Sequence, residues 1–347
     1  MSAGHSSIAI IGAGVAGLTL ASELLERGVA VDLFDQAEKI GTQSCSWYAG
    51  GMLAPWCERE SAEEKVARLG AEAAHWWQHH AGGVVHHGSL VVAQPRDAAE
   101  LDRFSRRTDH YQWLDAAGIA HLEPDLDGRF HRALYFPQEA HLNPRHALAA
   151  LSQRIEEKGG KLHFQTDGLT EADTTSTIVD TRGFSSRDQL PALRGVKGEM
   201  LIIRTEEITL SRPVRMLHPR IPLYIVPRGD NLFMVGATMI ESSERGRISA
   251  RSMIELLSGA YALHPAFGEA EIIEIGTDVR PAFPDNLPRI IKKASRYYLN
   301  GLYRHGFLLS PTLARQTADF ILNGTRPEFL FEEGKDHHAT DRQRTAG

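Results

Sequence analysis

Three glycines near the N-terminus carry the most chemistry in this chain. Gly12, Gly14 and Gly17 form G-x-G-x-x-G directly after the apolar run Ile8-Ala9-Ile10-Ile11. Read as a buried strand turning into a helix, this spacing suits a pyrophosphate. Gly12 permits the tight turn, Gly14 lets a phosphate approach the backbone, and Gly17 lets helix and strand pack closely. The helix start at Val15 and Ala16 offers free N–H groups and the positive end of the helix dipole. The helical pattern stops at Gly28, a natural C-cap, and a second strand follows over residues 29–34. Asp35 lies 23 residues after Gly12, where a carboxylate meets a ribose hydroxyl. A dinucleotide is the expected ligand. The competing reading is an ordinary strand–helix–strand unit with glycines in its turn.

The motif alone does not choose between a nicotinamide and a flavin dinucleotide. The next segment leans towards FAD. Residues 40–46 lead into Trp47-Tyr48-Ala49-Gly50-Gly51-Met52-Leu53-Ala54-Pro55, a small-residue loop with hydroxyls and a double glycine, not a third strand–helix repeat. Such a loop can lie against a flat ring. It also reads as a plain surface loop.

Four further residues could hold a substrate. Arg280 ends a short strand before Pro281, and an arginine on a rigid strand end can grip a carboxylate in two parallel hydrogen bonds. A surface salt bridge explains it equally well. Tyr224, between Leu223 and Ile225 in a strand, could donate to the same carboxylate or be a core tyrosine. Arg304 lies in the loop before the last helix, and Met239 follows a strand. The arginine belongs near the expected flavin. The methionine is a pocket wall or, by default, a core residue.

The elements that must place these residues are legible in outline. Helices are expected near 62–80, from 96 to 109, over 111–118, from Asn143-Pro144 to about Lys158, and over 250–263. Strands are expected at 84–85, 89–93, 132–136, 161–164, 177–180, 197–203, 223–227 and 232–238, the last three in an antiparallel sheet. Residues 297–301 form a strand that breaks into Leu302-Tyr303-Arg304-His305-Gly306-Phe307 and a helix to Asn323, capped by Gly324. This second strand–turn–helix can aim another helix start at a flavin, so the cofactor domain is expected to be discontinuous. The expected division is 1–85, 146–198 and 276–333 for the FAD domain, 86–145 and 199–275 for the substrate domain, and a disordered tail over 334–347.

The whole chain excludes several classes. Its 347 residues suffice for two domains, and a net charge of −6 leaves no basic footprint for nucleic acid. No apolar run reaches a membrane span and no signal peptide is evident, so a cytoplasmic protein is expected. Cys45 and Cys57 have neither disulfide-framework nor zinc spacing. The pairs His79-His80 and His86-His87 diverge on any regular element, so no catalytic metal is expected.

Taken in order, the glycine motif, residues 49–55, Val196-Lys197-Gly198-Glu199-Met200, residues 224–228, residues 235–239, Val279-Arg280-Pro281 and Tyr303-Arg304-His305-Gly306 resemble the D-amino-acid-oxidase-type flavoproteins. The resemblance covers about residues 7–330 and is strongest to the glycine oxidase branch that serves thiamine biosynthesis, in its rhizobial form. It implies an α/β, α+β overall fold: a Rossmann-like FAD-binding domain with a substrate domain on a largely antiparallel sheet. It implies oxidation of glycine or a similar small amine to the imine, with oxygen reduced to peroxide, and hand-off of the imine to thiazole synthase. It also implies a homo-oligomer. The implied catalytic set is Arg280, Tyr224, Arg304 and Met239. The implied cofactor set is Gly12, Gly14, Val15, Ala16, Gly17, Asp35, Gln36, Ser44, Cys45, Ser46, Gly50, Gly51, Met52, Gly168, Tyr303, His305, Gly306, Phe307 and Leu308.

Two departures from the family pattern stand out: Pro222 where some members carry a histidine, and Val179-Asp180-Thr181-Arg182-Gly183-Phe184 in place of a small-residue turn. The alternatives are a sarcosine, D-amino acid or imino acid oxidase or dehydrogenase, a nicotinamide enzyme, and a flavin protein whose role is docking.

Overall fold

The structure is a computed structural model that describes residues 7–172, 177–218 and 223–332. The expected tail and Pro222 lie outside them. Two sheets divide the chain. The first has seven strands in the order Leu330–Phe331, Arg289–Lys293, Arg296–Asn300, Thr177–Asp180, Ile8–Ile11, Val31–Phe34 and Lys161–His163. It is parallel except for the hairpin between Arg289–Lys293 and Arg296–Asn300. Ile8–Ile11 is an interior strand, buried along its whole length, as a strand with both faces covered must be.

The helix Val15–Glu26 lies against the sheet between Pro144–Glu157 and the last helix, Gly306–Asn323. Two tryptophans tie this layer together. Trp76 donates to Glu23 at 2.6 Å, and Trp77 donates to the Phe307 carbonyl at 2.7 Å. The segment expected as one helix near 62–80 is two, Glu64–Gly70 and Ala73–His80. The break lets Gly70 pack directly on Leu308. Asn143 caps its helix by accepting from Arg145 N, with Pro144 at the first position, as read from the sequence.

The second sheet has nine strands and is antiparallel apart from one parallel pair, Ser89–Ala93 with Val214–Leu217. Its spine is the long pair Arg194–Arg204 and Glu271–Ala282. The domain boundaries expected at 198 and 275 therefore fall inside single strands. Helix Ala250–Leu263 covers this sheet, capped by Ser249 accepting from Ser252 N.

Three local expectations change. Residues 111–118 are not one helix: Gln112–Asp115 is a strand paired with Arg132–Phe136, and Asp115 then caps helix Ala116–Leu122. The helix expected from 96 to 109 is shorter, Ala98–Ser105, and it buries Leu101 and Phe104. Residues 84–85 form a single bridge, Val85 to His141, not a strand. No described helix is long and apolar enough to cross a membrane.

A buried ion pair braces the second sheet. Glu123 accepts from Arg212 Nε at 2.6 Å, from Ser211 Oγ at 2.8 Å and from Ser211 N at 3.1 Å, and both charged side chains are buried. Glu123→Ala strands the guanidinium, so the variant should lose about 3 kcal/mol of unfolding free energy in urea titrations. A loss below about 1 kcal/mol would show that Arg212 finds water instead.

Candidate active site

A cleft between the sheets encloses about 1450 Å³ of space, open solvent included. At one end is the glycine turn. Gly12 has φ +108°, in the left-handed region, and a Cβ there would meet the Thr181 backbone at 2.9 Å. A Cβ on Gly17 would overlap the Gly12 carbonyl oxygen. Asp35 Oδ2 accepts from Ala13 N at 2.6 Å and Oδ1 from Ala37 N at 2.8 Å. Ser46 Oγ accepts from Val15 N at 3.1 Å, and Ser44 Oγ from Ser46 N at 3.2 Å. The helix start carries no acidic residue and no side-chain cap from Gly14. A helix start free of acidic residues, a turn with glycines at 12 and 14 and a carboxylate at the next strand end fit the phosphates and ribose of a dinucleotide.

The cleft is lined by Gly12, Gly14, Val15, Ala16, Asp35, Ser44, Cys45, Ser46, Gly50, Gly51, Met52, Tyr303, His305, Gly306, Phe307 and Leu308. Three other cofactor candidates stand off it. Gly17 lies beneath the turn, Gln36 is exposed, and Gly168 packs on Phe34 and Ile11. Burial pushes the Cys45 thiol up to about 12, aided by the charge of Asp278, so it stays a neutral lining group.

At the other end, Arg280 leans over Gly198 and donates from Nη1 to the Thr238 carbonyl at 3.0 Å. Glu199 fixes that threonine, accepting from its hydroxyl and donating N–H to it, both at 3.0 Å. Among the described residues no carboxylate pairs with Arg280. Tyr224 lies with its ring between Gly50 and Gly236, and its hydroxyl has no protein partner among the described residues. Arg304 also lines the cleft, but it is committed: Nη2 donates to Glu58 Oε2 at 2.7 Å and to Ser61 Oγ at 2.6 Å. Met239 is no core methionine. It is 48% exposed at the rim, with Sδ 3.6 Å from the Tyr303 hydroxyl and 3.8 Å from Arg304 Nη1.

Sequence reasoning missed the centre of the charge pattern. Glu58, on the short helix Pro55–Glu58 just after the glycine loop, binds Arg215 Nη2 at 2.8 Å and Arg304, and lies 3.5 Å from His305 Nδ1. Burial alone would raise its carboxyl, but Arg304 and Arg215 hold it well below the usual range. Burial pushes the His305 imidazole down to about 4, against the pull of Glu58, so the ring is neutral. Glu139 lies behind, fully buried. Its Oε1 accepts from Cys57 N at 2.7 Å, and burial pushes its carboxyl up to about 7. Proximity of Glu58 to the double glycine was the only available sequence signal. Asp278 and Arg245 also line the cleft, as does Glu199, which the sequence offered only as part of a motif.

The departure at 179–184 is an ion-pair knot. Asp180 is buried and accepts from Arg182 N, Nε and Nη2 and from Ser186 Oγ, while Thr181 Oγ1 donates to the Ile11 and Gly12 carbonyls. Away from the cleft, Glu26, His79 and His80 bring ligand-type atoms within 4.8 Å of one another. The His80 nitrogens already meet Trp76 O and Glu26.

Comparison with known proteins gives the context. Residues 7–320 match the DAO family model, described as FAD dependent oxidoreductase. The chain is 56% identical over 316 residues to a Rhizobium etli protein provisionally named thiamine biosynthesis oxidoreductase ThiO, covering 91% of this chain and 96% of that one. A glycine oxidase of Geobacillus kaustophilus is 26% identical over 359 residues, covering 90% and 92%. The solved glycine oxidase of Bacillus cereus superposes with a TM-score of 0.78 at 23% identity, covering 92% and 96%.

Glu139 gives this site a pH signature. Its carboxyl keeps a proton to about pH 7 when folded but only to about 4.5 when unfolded, so the stability it supports is present at low pH and lost as pH rises through 7. Glu139→Gln keeps the neutral form. Between pH 5 and pH 8 its stability relative to wild type should improve by about 2 kcal/mol, read from urea midpoints. A difference independent of pH would show that the carboxyl is ionised throughout.

Proposed function

The chain belongs to the DAO family of FAD-dependent oxidoreductases, and from that premise we propose that it oxidises glycine, or a similarly small amine, to the imine. Oxygen is the acceptor and peroxide the by-product, and the imine supplies the thiazole half of thiamine. The observation that carries this reading is Arg280: a guanidinium facing the cofactor cleft that pairs with no carboxylate among the described residues, in the same cleft as a tyrosine hydroxyl that has no partner among them.

FAD, when bound, supplies a two-electron acceptor that oxygen can regenerate. The protein's work is to hold and orient. The glycine turn and the start of Val15–Glu26 would hold the pyrophosphate, with Asp35 at the ribose. The loop over residues 44–52 and the start of Gly306–Asn323 would line the rest.

Arg280 takes the substrate carboxylate in two parallel hydrogen bonds, and Tyr224 donates a third. Holding one end of a small molecule in this way fixes where its Cα stands, which is most of what such a site must contribute. Arg304 is tied down through Nη2 by Glu58 and Ser61, so it is less available to a substrate carboxylate than Arg280. One free guanidinium suits a monocarboxylate. The ring of Tyr224 against Gly50 keeps the cleft narrow and favours a small substrate. The product imine hydrolyses in water, which favours direct hand-off to the thiazole-forming enzyme.

Two measurements test this. Anaerobic glycine should bleach the flavin band of the purified holoenzyme, and admitting oxygen should restore it with peroxide formed. A band bleached only by sarcosine, D-amino acids or proline would move the substrate. Arg280→Leu should raise KM for glycine by about a hundredfold, the loss of a charge-assisted bidentate contact. Unchanged kinetics would remove Arg280 from the substrate.

A further inference from the structure

Asp278 and Arg280 lie two residues apart on the strand Glu271–Ala282, so their side chains leave the same face of the sheet, with Cα atoms about 6–7 Å apart. Both line the cleft. Across the sheet Asp278 pairs in register with Gly198, the residue over which the Arg280 guanidinium leans. An anion and a cation therefore stand side by side at the substrate end, without pairing with each other: no ion pair joins them.

The two oxygens of Asp278 differ. Oδ1 accepts from Val279 N at 2.7 Å and lies 3.3 Å from Arg245 Nε, while Oδ2 has no hydrogen-bond partner among the described residues. Asp278 itself is 8% exposed. Burial pushes its carboxyl up, and Val279 N–H, Arg245 and Arg280 only partly hold it back, so it lacks donors for its charged form. An arriving ammonium group would supply them. A zwitterionic amino acid carries its carboxylate and ammonium on adjacent atoms, the charge pattern this face of the strand complements.

Resting on the amine-oxidising reading above, we propose that Asp278 receives the amino group of the substrate through Oδ2 while Arg280 holds its carboxylate. Two-point binding fixes rotation about the carboxylate axis, which Arg280 and Tyr224 alone leave free, and it selects amino acids over simple carboxylates. The rival role for Asp278 is structural, as an anchor for Arg245.

The test compares a ligand that has both groups with one that has only the carboxylate. For the FAD-loaded enzyme, KM for glycine is measured with Kd for acetate, read from perturbation of the flavin spectrum. Asp278→Asn should raise KM for glycine by at least about tenfold and leave Kd for acetate within about twofold, the expected loss for one hydrogen bond to a charged group. A parallel rise in both constants would assign Asp278 a structural role acting through Arg280 and overturn the proposal. So would no change in either. If the asparagine variant does not fold, Asp278→Ser must show the same split. A wild-type enzyme whose flavin no small amine reduces would overturn the reading beneath the proposal. A wild type reduced by glycine, with a variant that keeps its KM, would overturn the proposal alone.

Discussion

Helix Val15–Glu26 approaches the preceding strand so closely that no Cβ fits between them. Gly17 makes that approach possible, since any side chain there would overlap the Gly12 carbonyl. Thr181 completes the junction, donating its hydroxyl to the Ile11 and Gly12 carbonyls from the neighbouring strand end. Once the helix is set, the last helix has a surface to pack on, and its start reaches the cleft from the opposite end of the sequence. The cleft follows from this packing constraint more than from any single polar contact.

Charge is then distributed so that nearly every cation around the cleft is already answered. Glu58 takes Arg215 and Arg304, Asp180 takes Arg182, and Glu274 takes Arg145. Two guanidinium groups escape this pattern in different ways. Arg228 is half-buried behind the glycine loop and donates to the Leu142, Ala49 and Gly50 carbonyls, and desolvation pushes it down to about 9. Its needs are met by backbone. Arg280 donates to one carbonyl only and faces the cleft. A cation in a partly dry cleft that forms no ion pair, even with Asp278 nearby, is costly unless a ligand supplies a bonded anion.

The parallel core was legible because its signals are local: an apolar run, a glycine spacing, a capping asparagine, a helix ended by glycine. Arg280 was legible as a candidate from its place at a strand end and Tyr224 from its place within a strand, and the structure brings both to one cleft. The strand at 112–115 was not, because its pattern is short and its register is decided by a partner twenty residues away. Glu58 was illegible for the same kind of reason. A lone glutamate on a four-residue helix looks like any other until Arg215 and Arg304, distant in sequence, converge on it.

Convergence of this kind also couples the two ends of the cleft. The loop over residues 47–51 is gripped from the second sheet by Arg228, and from the helix Pro144–Glu157 by Arg145, which donates to the Trp47 carbonyl at 3.4 Å while pairing with Glu274. Gly50 touches the Tyr224 ring, and a Cβ on Gly51 would overlap the Leu142 carbonyl. The loop that lines the cofactor end thus shares atoms with the wall of the substrate end. A side chain at either glycine would move both together. The two ends of the cleft are therefore held in register by close van der Waals contact at the two glycines and by the Arg228 and Arg145 hydrogen bonds to the loop backbone. Such a fixed frame is what positioning two bound groups against each other requires.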